Sequence, residues 1–480
     1  MILEKSNVES ICMGCLLSAS STPIIKSFIS SVNELQQLME FLNESCDVYL
    51  GQFLSGYMVS WTAPVIPKLQ DLNQSPIPRL LSDLETSLLA SILYASVPGI
   101  LTMSWLSNYK GRKLCLIISS CLFIVSYTLL AVTQNYAMLL ASRLLGAYGL
   151  CTALIMNVLY IGEIASKKVR GILLTGLGIT QAIGSVLILS VGPYVSFSTT
   201  AYIGLILSVI YLVAVSFIPE SPVYYAIRGK KSELVKVMQD LNRFDEIDDY
   251  VDIKKSERND INDWKELFTE KCNIQGLFIA TGINMLQYGN GSLIVTFFST
   301  SIFEQAGSSI EPNLASIIIG CTQLSGSVIA PFFVEKSGRR PLLMTSTAIC
   351  CGSMIVFGVY FYLSHIGAEV IQHFKWLPLV ALAVFYLSNN MGFGVIPSTL
   401  TGEMFKSNVR SKGTALVIVI SWIFGFAVTT LFNSTITRFG AHIIFWFFGL
   451  ICGVAFLFTL FFVPETKGKS LAEITKMLNG

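Results

Sequence analysis

Charge is what this chain of 480 residues is short of. Asp, Glu, Lys and Arg make up 13% of it, against about 25% in an ordinary soluble domain. The 32 basic and 30 acidic residues nearly cancel to a net +2, which leaves no basic footprint for a nucleic-acid partner. Histidine is scarcer still: His365, His373 and His442 stand in loops that the sequence does not relate to one another. A membrane enzyme would need a nucleophile–base pair or a metal cluster, and neither spacing is present. Nor is there a phosphate-cradling glycine loop with its lysine, so no ATP-driven pump, no cofactor and no metal are expected. The 11 cysteines are scattered, mostly through apolar runs, and read as free thiols. Cys12-x-x-Cys15 lacks the second pair a zinc site requires.

What the chain has instead is apolar residues, 53% of the total, with a mean hydropathy of +0.64. A helix crosses the roughly 30 Å of membrane hydrocarbon with about 20 residues. Runs of that kind, bounded by charge, Pro or Gly, lie near 48–67, 86–106, 114–133, 138–160, 171–191, 199–218, 273–297, 312–334, 341–363, 375–398, 413–433 and 441–463. They predict an all-α membrane protein of twelve transmembrane helices. Its parts are a tail (1–46), a six-helix half (47–218), a polar linker with short amphipathic helices (219–272), a second six-helix half (273–463) and a final tail (464–480).

Lys and Arg crowd the loops on one side: Lys110, Arg112 and Lys113; Lys167, Lys168 and Arg170; Lys336, Arg339 and Arg340; Lys406, Arg410 and Lys412. Such a bias marks the cytoplasmic face and predicts both termini there. With no organelle address at either end, the plasma membrane is the expected home. Two sequons fall on the opposite side, at Asn73 and Asn433, and are the glycosylation candidates.

The charges also repeat. Gly111-Arg112-Lys113 follows the second run and Gly338-Arg339-Arg340 the eighth. Glu163 and Arg170 follow the fourth as Glu403 and Arg410 follow the tenth; Pro219-Glu220-Ser221 closes the sixth as Pro464-Glu465-Thr466 closes the twelfth. Three signatures in one order describe a duplicated six-helix unit, the two copies lying parallel. Topology needs no acids at these helix ends. Paired with arginine forks, they are expected to join the inner faces of the halves and to release them as the inner side opens.

In these residues the chain resembles the sugar-porter family of the major facilitator superfamily. The matching stretches are Asn108–Lys113, Arg143 with Gly146, Tyr160–Arg170, Pro219–Pro222, Glu335–Arg340, Gly392–Arg410 and Pro464–Leu471. Within the family it is most similar to the facilitated trehalose and glucose transporter-like members of arthropods. The resemblance implies alternating access around a central sugar site by a protein that works as a monomer in the bilayer. It implies a cytoplasmic gate of Arg112, Glu163, Arg170, Glu220, Glu335, Arg339, Arg340, Glu403, Arg410 and Glu465.

For the sugar it implies Gln287, Asn290, Gln323, Asn390, Trp422 and Gln181, amides and a ring suited to neutral hydroxyls, with Gly392, Gly394 and Pro397 as the kinkable tenth helix. The chain departs from the family where Tyr288 takes the place of a second glutamine, Leu293 that of an asparagine and Ser398 that of a tryptophan. Proton-coupled members carry an Asp after Gly-Tyr in the first helix; here the run reads Gly56-Tyr57-Met58, and none of the twelve runs holds a deep Asp. A facilitative uniporter of hexose or trehalose is the expectation. The alternatives are a proton-coupled porter of a sugar or other small polar solute, and a solute-sensing relative that transports nothing.

Overall fold

In the computed structural model, residues 47–165, 169–241, 260–406, 409–469, 473–474 and 476–477 are described. The tail that carries Cys12 and Cys15 lies outside them, as do Lys167 and Lys168. Among the described residues the regular elements are helices, with no strand.

Helix α1 (47–60) is continued past a turn at Trp61 by α2 (Thr62–Leu69). Next come α3 (Asp83–Ser91), a 3-10 turn at Ile92–Ser96 and α4 (Val97–Lys110). A capping box starts α3: Ser82 accepts from the Glu85 N–H, and the Glu85 carboxylate accepts in return from the Ser82 N–H. The longer helices α5 (Arg112–Ala131), α6 (Tyr136–Ile164), α7 (Arg170–Val191) and α8 (Phe197–Phe217) complete the first half. Asn135 caps α6 on the Met138 N–H at 2.8 Å, and Ser196 caps α8 on that of Thr199.

The linker contributes α9 (Pro222–Arg228), α10 (Lys231–Asp240) and α11 (Asp260–Thr269). The second half runs through α12 (Lys271–Gly289), α13 (Ser292–Ala306), α14 (Pro312–Ser337), α15 (Arg339–His365), α16 (Leu377–Ser388), α17 (Ile396–Glu403), α18 (Arg410–Phe439) and α19 (Ala441–Phe462).

Nine helical segments among the described residues are long and apolar enough to cross a membrane, and the bent pair 83–100 and 102–110, angled at 44°, makes a tenth. The other two expected runs are broken: the first at Trp61, the seventh at Asn290-Gly291, where Gly291 has φ +86°. Within the tenth run a π-helical turn spans Asn389–Phe393, between α16 and α17. Small residues let helices touch backbone to backbone. A Cβ on Gly56 of α1 would sit 1.8 Å from the Gln181 carbonyl oxygen of α7, and one on Gly184 of α7 would sit 2.0 Å from that of Phe53.

The halves meet at the end opposite the basic loops. Thr430 and Asn433 of α18 bond Ser91, Ser87 and Thr86 of α3 at 2.8, 3.3 and 3.1 Å, and Thr437 bonds Asp83 at 2.7 Å. Gly320 of α14 faces Leu189 and Val186 of α7.

Candidate functional site

At the basic end each half builds the same device. A glycine with positive φ, Gly111 at +102° and Gly338 at +87°, separates two helices and swings the next helix N-terminus toward a carboxylate. In the first half Glu220 accepts from the backbone N–H groups of Arg112 (2.8 Å), Lys113 (3.3 Å) and Ser221 (2.9 Å). In the second, Glu465 accepts from those of Arg339 and Arg340, both at 3.1 Å, and of Lys467 at 2.9 Å. Burial works against ionisation of Glu465, but the N–H groups of Lys467, Arg339, Arg340 and Thr466 prevail and hold its carboxyl below the ordinary 4.5.

The arginine side chains close the motif. Arg112 grips Glu163 through Nη2 at 2.9 Å and Nε at 3.2 Å, while its Nη1 donates to the Ser107 carbonyl at 3.1 Å. The Ser221 hydroxyl donates to the other Glu163 oxygen. Arg339 meets Glu403 by one contact of 3.3 Å, and Arg340 donates to the Leu460 carbonyl at 2.6 Å. Arg170 reaches the Ala165 carbonyl at 3.5 Å, and Arg410 opens α18. The Glu335 side chain lies outside the described residues. An ion pair the sequence did not suggest ties Lys406 to Glu270 and, at 3.7 Å, to Glu266. Lys406 holds the Glu270 carboxyl below its ordinary range.

Arg112–Glu163 and Arg339–Glu403 each close within one half. The reason is geometric: the halves meet at the opposite end, through α3 and α18, and the charged motifs brace helix ends inside each half.

The polar groups deeper in the bundle form two sets. In the first half Asn157 of α6 donates to Gln52 of α1 at 3.2 Å, and Gln52 donates to Gln181 of α7 at 2.9 Å. Gln181 was legible as a candidate; Gln52 and Asn157 were missed, although a buried amide in an apolar run is itself a signal.

In the second half Gln287 donates to the Gly394 carbonyl at 2.8 Å, Gln323 to the Thr296 hydroxyl at 3.1 Å and Asn390 to the Gln323 carbonyl at 3.0 Å. All three amides are half-buried. Asn290 is fully buried; it donates to Asn389 at 2.8 Å and accepts from the Ser292 N–H, capping the break between α12 and α13. It therefore fixes the backbone. Gly392 packs against Ser346 and Leu342, the Gly394 N–H returns to the Asn389 carbonyl at 2.6 Å, and Pro397 lies in the first turn of α17. These groups make the helix break a built joint.

Aromatic rings complete the set. Trp422 of α18 donates its indole N–H to the Tyr288 hydroxyl at 2.9 Å. Tyr94 of the first half stands edge-on to both, at ring distances of 6.0 and 6.2 Å. Sequence reasoning missed Tyr94. Ser398, where the family has tryptophan, is exposed and bonds the Val395 carbonyl. Arg143 is 1% exposed; it bonds the Met58 carbonyl at 3.1 Å and lies 4.9 Å above the Trp61 ring. Of the glycosylation candidates Asn73 is exposed, whereas Asn433 is half-buried and its side-chain nitrogen donates to Thr86 between the halves.

Comparison with known proteins agrees with this architecture. The family model described as "Sugar (and other) transporter" matches residues 45–478. The chain is 31% identical over 443 residues to the facilitated trehalose transporter Tret1 of Culex quinquefasciatus, covering 90% of this chain and 84% of that one. To Tret1 of Polypedilum vanderplanki it is 30% identical over 443 residues, covering 90% and 87%. Among solved structures, the inward-open xylose transporter XylE from E. coli superposes with a TM-score of 0.76 at 20% identity, over 90% of this chain and 98% of that one. XylE bound to 6-bromo-6-deoxy-D-glucose, a major facilitator superfamily proton:xylose symporter, gives 0.72 at 22% identity, over 91% and 98%. The fold is that of the major facilitator superfamily, and this chain, a multi-pass membrane protein, belongs to the family of sugar transporters.

Proposed function

We propose that the protein is a facilitative uniporter that carries trehalose or a hexose across the plasma membrane by alternating access, working as a monomer with both termini in the cytoplasm. The observation that carries the uniport reading is Arg143. In the first helix its neighbour is Met58, whose backbone carbonyl it bonds, and a tryptophan ring takes the place of a carboxylate. A proton-coupled porter needs a titratable acid at membrane depth, and this position supplies none.

The sugar would bind between the Gln52–Gln181–Asn157 set and Gln287, Gln323, Asn390 and Trp422. In the second set the amide nitrogens are used within the protein, which leaves the Gln287, Gln323 and Asn390 oxygens to accept from sugar hydroxyls. In the first, the Gln181 oxygen accepts from Gln52 and its amide nitrogen would donate to the sugar, while the Trp422, Tyr288 and Tyr94 rings would cover an apolar sugar face. The two six-helix halves, 47–218 and 273–463, would rock about this site, with the 219–272 helices and the charge motifs as the cytoplasmic gate. The facilitated trehalose transporters among its relatives support the substrate class.

The test is uptake of labelled trehalose and labelled glucose into proteoliposomes. Saturable uptake of either, with the other or a related sugar competing, is the expected result. No uptake of either by folded protein would remove the sugar reading and turn attention to Tyr288, Leu293 and Ser398.

A further inference from the structure

Two of the three histidines, which the sequence places in unrelated loops, meet in space. His365 ends α15 and His442 opens α19, with ring centres 5.5 Å apart at an interplanar angle of 66°. That separation suits two imidazoles holding one metal ion: zinc–nitrogen bonds of about 2.0–2.1 Å at a tetrahedral angle set the ring centres roughly 5 Å apart. Both residues lie at the end of the molecule opposite the basic loops, away from the sugar site.

The surroundings fix one imidazole and leave room beside both. Gly440, at φ +86°, turns the chain from α18 into α19, and the His442 ring folds back over it. A Cβ on Gly440 would lie 2.9 Å from His442 Cε1 and 3.0 Å from Nδ1. Tyr362 and Trp446 stand against the same ring at 5.6 and 5.5 Å. A cleft of about 230 Å³ opens at the pair, lined also by Gln305 and Ser364, which offer oxygen donors. Among the described residues no group of three or more His, Cys, Asp or Glu side chains could hold a metal. The site is thus open, with two nitrogen ligands and positions left for water or these oxygens.

We propose that His365 and His442 bind a divalent cation of the borderline class, Zn²⁺, Ni²⁺ or Cu²⁺, at this outer cleft. Imidazole suits those ions, whereas Ca²⁺ and Mg²⁺ take oxygen ligands. The bound ion joins the end of α15 to the start of α19, next to the α18 terminus whose Thr437 bonds Asp83 of the other half. It therefore sits where the second half grips the first.

The test is calorimetric titration of Zn²⁺ into purified, tag-free protein in detergent. Wild type should bind one ion; His365→Ala and His442→Ala should each weaken binding by more than about tenfold, beyond what loss of a supporting outer-shell contact costs at the least. His373→Ala and a Ca²⁺ titration serve as controls: the first should match wild type and the second should show no binding at this site. Where a variant fails to give monodisperse protein, the electron paramagnetic resonance spectrum of Cu²⁺ on wild type decides, with hyperfine structure from two imidazole nitrogens expected. Zn²⁺ binding unaltered in both alanine variants, or a copper spectrum with fewer than two such nitrogens, would overturn the proposal.

Discussion

The two halves carry the same charge signature and use it differently. In the first, Arg112 and Glu163 have side chains only 5% and 15% exposed and share two hydrogen bonds, with Ser221 adding a third to the carboxylate. In the second, Arg339 and Glu403 are 26% and 29% exposed and touch at 3.3 Å, and among the described residues Glu403 Oε2 and Arg339 Nε have no hydrogen-bond partner. A buried, fully engaged pair resists change, because removing one partner strands a charge. A half-exposed pair with spare capacity is cheaper to rearrange. Helix breaks occur in both halves: the first has the turn at Trp61 and the 3-10 turn at Ile92–Ser96, while the second has a joint at Asn290-Gly291, a non-helical Phe298 and a π turn at Asn389–Phe393. The first half acts as the frame, and the second holds the adjustable parts.

The largest expected effect breaks the frame. Arg112→Ala leaves Glu163 half-satisfied and should destabilise the protein by about 3–5 kcal/mol, read as a fall in the yield and melting temperature of monodisperse protein. The matching change in the second half, Arg339→Ala, should alter melting by no more than about 1 kcal/mol while slowing transport. Glu403→Gln should behave likewise. Equal destabilisation in Arg112→Ala and Arg339→Ala would erase the contrast, and unaltered uptake in both second-half variants would take these charges out of the gate.

A smaller effect sharpens the division at the sugar site. Gln287→Ala removes one amide from the joint and from the solute, a loss of about 1 kcal/mol or somewhat more, and should raise the apparent KM for sugar several-fold. Cys321→Ala, on an exposed face of α14, should leave KM alone. Equal KM values for the two variants would demote Gln287 to a helix-packing residue.

Much of the fold was readable because hydrophobic runs report length and the recurring charges report duplication. Glu220 and Glu465 stood out in the sequence with the charges after Gly111 and Gly338 as a repeated set, since an acid at a helix end is rare without cause; that they accept from the backbone N–H groups beyond those glycines is seen only in the structure. Other features could not. Nothing in an apolar run says that Gln52, Asn157 and Gln181, on three helices, share one hydrogen-bond chain. The meeting of His365 with His442 depends on where α15 ends in space. Which end of the molecule holds the halves together is a property of conformation, and in this one Arg112–Glu163 and Arg339–Glu403 each close within a half.

The smallest effect concerns acid. The folded protein holds Glu465 ionised more firmly than the unfolded chain does, so this group adds stability above pH 4.5, its ordinary value, and that stability is lost as pH falls through the lowered folded value. Melting of Glu465→Gln should therefore show a shallower decline below pH 4.5 than wild type. Parallel acid profiles would mean that Glu465 titrates as a free carboxylate.

The central claim, that sugar crosses by facilitated diffusion, meets its most direct test in uptake of labelled trehalose into proteoliposomes with and without an imposed proton gradient. The account predicts saturable uptake at the same initial rate in both, ending when the inside and outside concentrations are equal. Accumulation above the outside concentration when the gradient is present would contradict it.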